Sequence, residues 1–501
     1  MEKEQNLSLA KTTDHPMPSK DPSAAVAISL DTATQGSDPA SRSKKRSWKS
    51  YAWDSLDKEP FERVLLFKLD AAILSLAGFG FFIKYLDQLN ISNAFVSGMK
   101  EDLNLYGNQL NYMQTLWTVG YVLGAIPSNL LLTRVGASIY IPCLQIVWSA
   151  LTMCMAACNT IKPIYGLRFL IGLSESGFYP GVQYLIGCWY RRDELAKRSC
   201  IFHTCGALAG MFSGYLMAAV YHLEGRGGLR GWQWLFIIDG CIAIPVAMAG
   251  YIFYPDVPDT CQAFYLSEEE IQLAQHRMVL EGRAGRTPYT WSKIKGVFTS
   301  WHIYGVVALH TIFVNNNAIP QPFFSLFLKD SQHPKYTIAQ INAIPSTSAA
   351  VQVVTTLLYA WSSDTFLQGA RWPPIIFANT LNIVIYISLA VWDIPMGWKW
   401  TCFVLVGAGG GLSGLCYAWA HEICTYDNEE RAFVTGSMNE IAYSVQVWLP
   451  LLVWKQIDSP KYHKGYITCA VLSAAMIVNA MVVRHLHNRE RRGRSVRQDR
   501  V

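Results

Sequence analysis

The sequence predicts an all-α membrane protein with twelve transmembrane helices in two six-helix halves, and three observations carry that prediction. The 501 residues are 51% hydrophobic but only 16% charged, whereas an average soluble domain is about a quarter charged. Apolar residues gather in runs of about 20, the length a helix needs to cross a hydrocarbon core of about 30 Å. Landmarks in the first half of the chain recur in the second at a near-constant offset. A membrane barrel would instead show segments of about ten residues alternating in hydrophobicity, and the chain has no such pattern.

Residues 1–53 are rich in Ser, Thr, Asp, Lys and Pro and hold no apolar segment of signal-peptide type, so they read as a disordered tail. The first half, 54–254, carries apolar runs at 69–92, 111–132, 138–158, 163–189, 199–221 and 234–254. A charged linker, 255–300, follows. Within it Ser267 is a helix N-cap for 271–280, with Glu268, Glu269 and Glu270 favouring the positive helix end. The second half, 301–483, carries runs at 301–328, 337–361, 373–391, 400–422, 433–454 and 465–483, and a basic tail occupies 484–501. Cysteines such as Cys143, Cys154, Cys158, Cys188, Cys402 and Cys416 fall singly in apolar runs, and the 12 form no CxxC motif, which reads as packing rather than as a disulfide framework or metal site.

An even number of spans places both termini on one side, and the excess of Lys and Arg says which. Of 42 basic residues, 30 lie in the tails, the linker and the loops on that side, against ten in the opposite loops; Lys84 and Arg168 fall inside spans. Both tails are therefore expected in the cytoplasm, and the Arg-rich C-terminus reads as a topology anchor rather than a nucleic-acid patch.

The duplication rests on three pairs. Arg134 after span 2 matches Arg371 after span 8, 237 positions on, and the run starts at 69 and 301 are 232 apart. Tyr190-Arg191-Arg192-Asp193-Glu194 matches Tyr426-Asp427-Asn428-Glu429-Glu430-Arg431, with the tyrosines 236 apart. Two parallel six-span halves imply a cavity between them that opens to each side in turn, so transport is the expected function. No Gly-Lys-Ser/Thr phosphate loop exists to use ATP, and the glycines 407–414 of span 10 lack the preceding strand such a loop needs. Nucleophile, base and orienting group do not converge in any motif, so no enzyme is expected.

Charges inside spans are costly and mark function first. Lys84 and Asp87 share one face of span 1, and Arg168 and Glu175 share one face of span 4. At a rise of 1.5 Å per residue, Asp87 and Arg168 lie roughly 8–9 Å from the outer ends of their spans, and Lys84 and Glu175 roughly 14–18 Å. The expectation is a pairing of Asp87 with Arg168 and Lys84 with Glu175 across the first-half cavity; a static ion-pair network is the alternative. Arg168 offers a two-pronged donor and Lys84 a point charge, a combination that favours an anion. Glu175, in an apolar surround beside exchangeable cations, is placed to carry a proton. Asn315, Asn316 and Asn317, ahead of Pro320 and Pro322, form a breakable polar stretch in span 7 that reads either as ligand-reading amides or as a kink. His421 and Glu422 are further binding candidates. His203, His310, Asp239 and Glu440 read as structural, and Gly206, Gly210 and Gly214 as a close-packing series.

At these residues the chain resembles the major facilitator superfamily, and within it the fungal allantoate permease branch of anion:cation symporters. Residues 84–103, beginning Lys84-Tyr85-Leu86-Asp87-Gln88, are similar to the span 1 signature of fungal pantothenate transporters. Pro127-Ser128-Asn129, the segment Trp232 to Gly240 and Asn428-Glu429-Glu430-Arg431-Ala432 add to the resemblance. It implies proton coupling at Asp87 and Glu175, substrate contact at Arg168, and gating-loop roles for Arg134, Asp364, Arg371, Glu430 and Arg431. The wider family often has Arg after the span 1 Asp where this chain has Gln88, so Gln88 and Lys84 are the local binding candidates. The loop after span 2 is reduced to Thr133-Arg134-Val135-Gly136, while its counterpart from Ser362 to Arg371 is better kept.

The resulting expectation is a monomeric plasma-membrane importer coupling a small organic anion, such as pantothenate, to protons, with no cofactor and no metal. The alternatives are a carrier of a specialised metabolite in either direction and a nutrient sensor that binds without transporting.

Overall fold

A computed structural model describes residues 54–280, 291–316, 322–367, 369–424 and 428–498. The chain divides at Lys58: Met1–Lys58 is one unit, whose described part is the 3-10 turn Asp54–Asp57, and Glu59–Val501 is the other. All regular structure among the described residues is helical.

Span 1 is α1 (Pro60–Leu69) and α2 (Ser75–Ala94) joined by the π-turn Asp70–Leu74. Span 2 is α3 (Gln109–Val135), span 3 is α4 (Ala137–Met155), and span 4 is α5 (Ile161–Glu175) with α6 (Phe178–Trp189). Spans 5 and 6 are α7 (Arg192–Val220) and α8 (Gly231–Phe253). The linker holds α9 (Glu268–Leu280) and α10 (Trp291–Thr299). Span 7 is α11 (Trp301–Asn315) with α12 (Phe323–Asp330), and span 8 is α13 (Ile338–Ala343) with α14 (Ser346–Thr365). Span 9 is α15 (Trp372–Val391), and span 10 is α16 (Met396–Leu405) and α17 (Ser413–Ile423) around the 3-10 segment Val406–Leu412. Spans 11 and 12 are α18 (Asn428–Val453) and α19 (His463–Gln498).

Eight helical stretches among the described residues are long and apolar enough to cross a membrane, covering spans 1, 3, 5, 6, 8, 9, 10 and 12. The other four differ from a simple apolar rod for physical reasons. Spans 4 and 7 are each split into two shorter helices. Spans 2 and 11 are continuous, with 27 and 26 residues, but carry polar side chains such as Gln114, Thr118, Asn439 and Gln446 that face a cavity, where hydrocarbon is not the solvent.

Within the first half α3 packs on α5, α2 on α7 and α8, and α4 on α8. The α3–α5 contact is backbone to backbone. A Cβ on Gly120 would overlap the Phe169 carbonyl oxygen, and one on Gly172 would overlap that of Trp117, so only glycine permits this approach. In the second half α11 packs on α18, α15 on α19, and the glycine-rich Val406–Leu412 on α14. Its core joins Leu309, Ile375, Cys416, Met438 and Met476, all buried. The halves meet along two equivalent pairs, α3 with α18 and α7 with α13 and α14.

Hydrogen bonds close this seam at one end. Asn111 Nδ2 donates to the Trp454 carbonyl at 2.6 Å and Thr115 Oγ1 to that of Val447 at 3.2 Å. Asn342 Nδ2 donates to Ser97 Oγ at 2.8 Å, and Lys329 pairs with Glu101 at 2.7 Å. At the other end α9 docks on the first half. Ser267 and Glu270 form a reciprocal cap, the Ser267 N–H donating to Oε2 and the Glu270 N–H to Oγ. Lys68 pairs with Glu270 at 2.8 Å, and the buried Arg277 reaches Glu194 at 2.5 Å and Glu62 at 2.9 Å. The Glu62 contact is close but poorly aimed, since Arg277 Nε makes no hydrogen bond; it acts through charge. Beside it Arg198 grips Asp70 with two parallel bonds of 2.7 and 2.9 Å.

Candidate functional site

A cavity of about 450 Å³ lies between the halves, within the size range of small-molecule sites. Eight spans line it, and it extends from Asn111 near the closed seam to Arg371 between spans 8 and 9.

Span 1 supplies Lys84 and Gln88 to the wall, and span 4 supplies Arg168. The Lys84 ammonium lies 4.5 Å from the Tyr121 ring centre and 3.5 Å from its hydroxyl, a cation–π contact. Glu175 is fully buried and Arg168 is 1% exposed. Gln88 Nε2 donates to Glu175 Oε2 at 3.4 Å, and Thr152 Oγ1 donates to Asp87 Oδ2 at 2.6 Å. Among the described residues no ion pair within 4.0 Å joins these four groups; Lys84 feels the charge of Glu175, while Arg168 feels both Asp87 and Glu175, so they form one cluster rather than the two separate pairs expected from the helix rise.

Three of these four charged groups keep a buried polar atom that their neighbours leave unsatisfied. Arg168 Nε and Nη1, Asp87 Oδ1 and Glu175 Oε1 are buried with no hydrogen-bond partner among the described residues. Leaving a buried guanidinium with two idle nitrogens is costly, and its planar fork matches a carboxylate. The two carboxylates are not part of the cavity wall; they stand behind the cations. An anion in the cavity therefore meets positive charge first.

The remaining candidates distribute unevenly. Asn315 donates to the Thr311 and Ala442 carbonyls, and Asn316 is buried in a knot with Asn379 and Ser473. These amides tie span 7 to spans 9, 11 and 12, the packing role that the sequence leaves open; Asn317 lies outside the described residues. His421 and Glu422 are exposed and outside the cavity wall, with Glu422 paired to Arg371 at 2.8 Å. Arg371 also donates to Ser363 Oγ at 3.1 Å, drawing the ends of spans 8, 9 and 10 together. Arg134 is exposed at the end of α3, Arg431 is half-buried at the start of α18, and Glu430 contacts His302 at 2.7 Å. The side chain of Asp364 lies outside the described set.

The cavity wall also includes His203 and His310, which the sequence reads as structural, together with tyrosines it does not single out. Tyr179 and His203 share a hydrogen bond of 3.3 Å, His203 stacks on Tyr417 with centroids 6.1 Å apart, and Tyr417 bonds His310 at 3.2 Å. This chain of rings crosses from one half to the other. Tyr121 and Tyr443, 4.8 Å apart, form a second crossing. The polar residues of spans 2 and 11 were the available signal; aromatics inside apolar runs look the same whether they pack or line a cavity.

The sequence profile of the Major Facilitator Superfamily matches residues 77–450. The chain is 34% identical over 440 residues to the "Pantothenate transporter liz1" of Schizosaccharomyces pombe, covering 87% of this chain and 85% of that one. It is 36% identical to the "MFS transporter PfmaC" of Pestalotiopsis fici, covering 87% and 81%. Among solved structures it resembles a D-xylose-proton symporter, with a TM-score of 0.60 at 13% identity over 82% of this chain and 96% of that one, a likeness of fold. Two halves joined along equivalent helix pairs, a charged central cavity and relatives that share a third of its residues converge: the chain is a multi-pass membrane transporter, not an enzyme, and it belongs to the Major Facilitator Superfamily.

Proposed function

We propose that the protein imports a small organic acid, pantothenate or a similar vitamin-like carboxylate, across the plasma membrane together with protons. The observation that carries this reading is the buried Arg168 fork with two unpartnered nitrogens, beside Lys84 in the cavity wall and in front of Asp87 and Glu175. The substrate carboxylate would occupy Arg168 bidentately, with Lys84 adding a point charge. Polar groups of the substrate would meet Gln88 and the Tyr–His rings. Proton binding at Glu175 and Asp87 would leave the two cations to the substrate; proton loss would return the carboxylates as competitors. That exchange couples the two fluxes. The relative named a pantothenate transporter supports the substrate class.

With both termini in the cytoplasm, the seam at Asn111 and Trp454 is the outer gate, and the cavity reaching Arg371 faces inward. The halves 54–254 and 301–483 would rock about the bound ligand in a monomer, with Arg371, Asp364, Arg431 and Arg134 at the inner gate.

The test is uptake of radiolabelled pantothenate at low external concentration and acidic pH, in yeast lacking its own transporter. Uptake that a protonophore collapses is expected. No uptake, with the protein shown at the cell surface, would overturn the pantothenate assignment; protonophore-resistant uptake would overturn the coupling.

A further inference from the structure

We propose a binding site for one zinc ion, or a similar borderline divalent cation, where α11, α17, α18 and α19 converge, with His302, Cys424 and Glu430 as its protein ligands. A ring nitrogen, a thiol sulfur and a carboxylate oxygen of these three lie within 4.8 Å of one another. His302 is 5% exposed and Cys424 2%, so two of the three donors are withdrawn from water.

The orientation of the imidazole is what distinguishes this cluster from a chance gathering of polar groups. His302 Nε2 lies 2.9 Å from Glu490 Oε2, and that oxygen also accepts from Trp301 Nε1 at 3.2 Å. With Glu490 held on Nε2, a metal would take the Nδ1 side, the outer-shell arrangement of metal-bound histidines. The other nitrogen, Nδ1, is 2.7 Å from Glu430 Oε1.

Nitrogen, sulfur and oxygen donors in a set of three suit tetrahedral zinc with a fourth position for water. A thiolate donor selects zinc over magnesium or calcium. Ligand atoms about 2.0–2.3 Å from the ion stand about 3.3 Å or more from each other, so Glu430 at the start of α18 must withdraw by roughly half an ångström. Binding is proton-balanced: the Cys424 thiol gives up its proton, and an Nδ1 proton, where present, leaves with it, so affinity falls in acid. The ligands come from separate helices, which leaves no spacing motif in the chain. Bound metal would staple the ends of spans 7, 10 and 11, with span 12 as the outer shell.

The test is cobalt titration of the purified full chain after chelator treatment. One equivalent should bind with a thiolate-to-cobalt absorption band, zinc should displace it, and magnesium should not. Cys424→Ser should remove the band, which is the needed control in a chain with 12 cysteines. Glu490→Gln should keep the band with affinity weakened 10–100-fold. If Cys424→Ser does not fold, His302→Asn, which keeps the thiol, should weaken binding at least as much as Glu490→Gln. No thiolate band in the folded protein, the same band in Cys424→Ser, or unchanged affinity in His302→Asn would overturn the site and leave His302 as an imidazole held between two carboxylates.

Discussion

At the scale of single residues, the charges to which the proposed function assigns the chemistry are the ones a membrane makes expensive. Lys84, Asp87, Arg168 and Glu175 were legible in the sequence because few forces other than function keep a charge inside an apolar run. Arg168→Lys replaces a two-pronged donor with a point charge, so half-saturation of uptake should rise at least tenfold, about 1.4 kcal/mol, at unchanged surface expression. An unchanged half-saturation would remove Arg168 from the substrate. Glu175→Gln keeps the shape and the Gln88 contact but cannot release a proton; it should abolish protonophore-sensitive accumulation while substrate exchange across the membrane persists. Equal loss of both would assign Glu175 to packing. The amides of span 7 were harder to read. An Asn in a span is equally polar whether it faces a ligand or a neighbouring carbonyl, and only the contacts of Asn315 with Ala442 and of Asn316 with Asn379 separate the two.

At the scale of elements, close approach and docking decide what each helix tolerates. Gly172→Ala should destabilise the protein by about 1–3 kcal/mol through overpacking against α3, visible as a lower melting temperature in detergent. Gly166→Ala, with open space around its Cβ on the same helix, should leave melting unchanged; a similar loss at both would mean that backbone conformation, not the α3 contact, sets the cost. Arg277→Ala takes the cation away from Glu194, which is fully buried, so a cost of about 3–5 kcal/mol is expected, with faster amide exchange in α9. Lys68→Ala breaks a pair whose Lys is 36% exposed and should cost no more than about 1 kcal/mol. If α9 exchanges no faster in Arg277→Ala, its docking depends on other contacts. The helix itself was readable from Ser267 and the acids after it. Its partners were not, because Glu62, Lys68 and Glu194 lie far away in the chain and look like ordinary loop charges.

For the whole molecule, the run lengths and the recurrence of Arg134 in Arg371 were enough to indicate twelve spans in two halves. The break in span 4 escaped notice because hydropathy averages over it: Phe178 to Trp189 is as apolar as an unbroken span, although a new helix starts there; that of span 7 was readable as a kink from the asparagines ahead of Pro320 and Pro322. The state of the molecule was not legible either, since open and closed forms share one sequence. Contacts that close one end, such as Asn342 with Ser97, hold that end only while the cavity faces the other way. Asn342→Ala should therefore raise outside labelling of cavity cysteines introduced near Gln114. No change in labelling would show that the seam is held by the α3–α18 packing alone.

The glycine contact between α3 and α5 also has a mechanical meaning. α3 carries Asn111 and Thr115, which fasten the seam, and it is pressed backbone to backbone against the helix that carries Arg168. At Gly120 and Gly172 no side chain stands between the two backbones to be compressed or to change rotamer, so the pair would turn like a crank without backlash. If Arg168 holds the substrate as proposed, a pull on it would reach Trp454 with no loop needed to relay it, and a single methyl group at Gly120 or Gly172 would introduce play into the linkage.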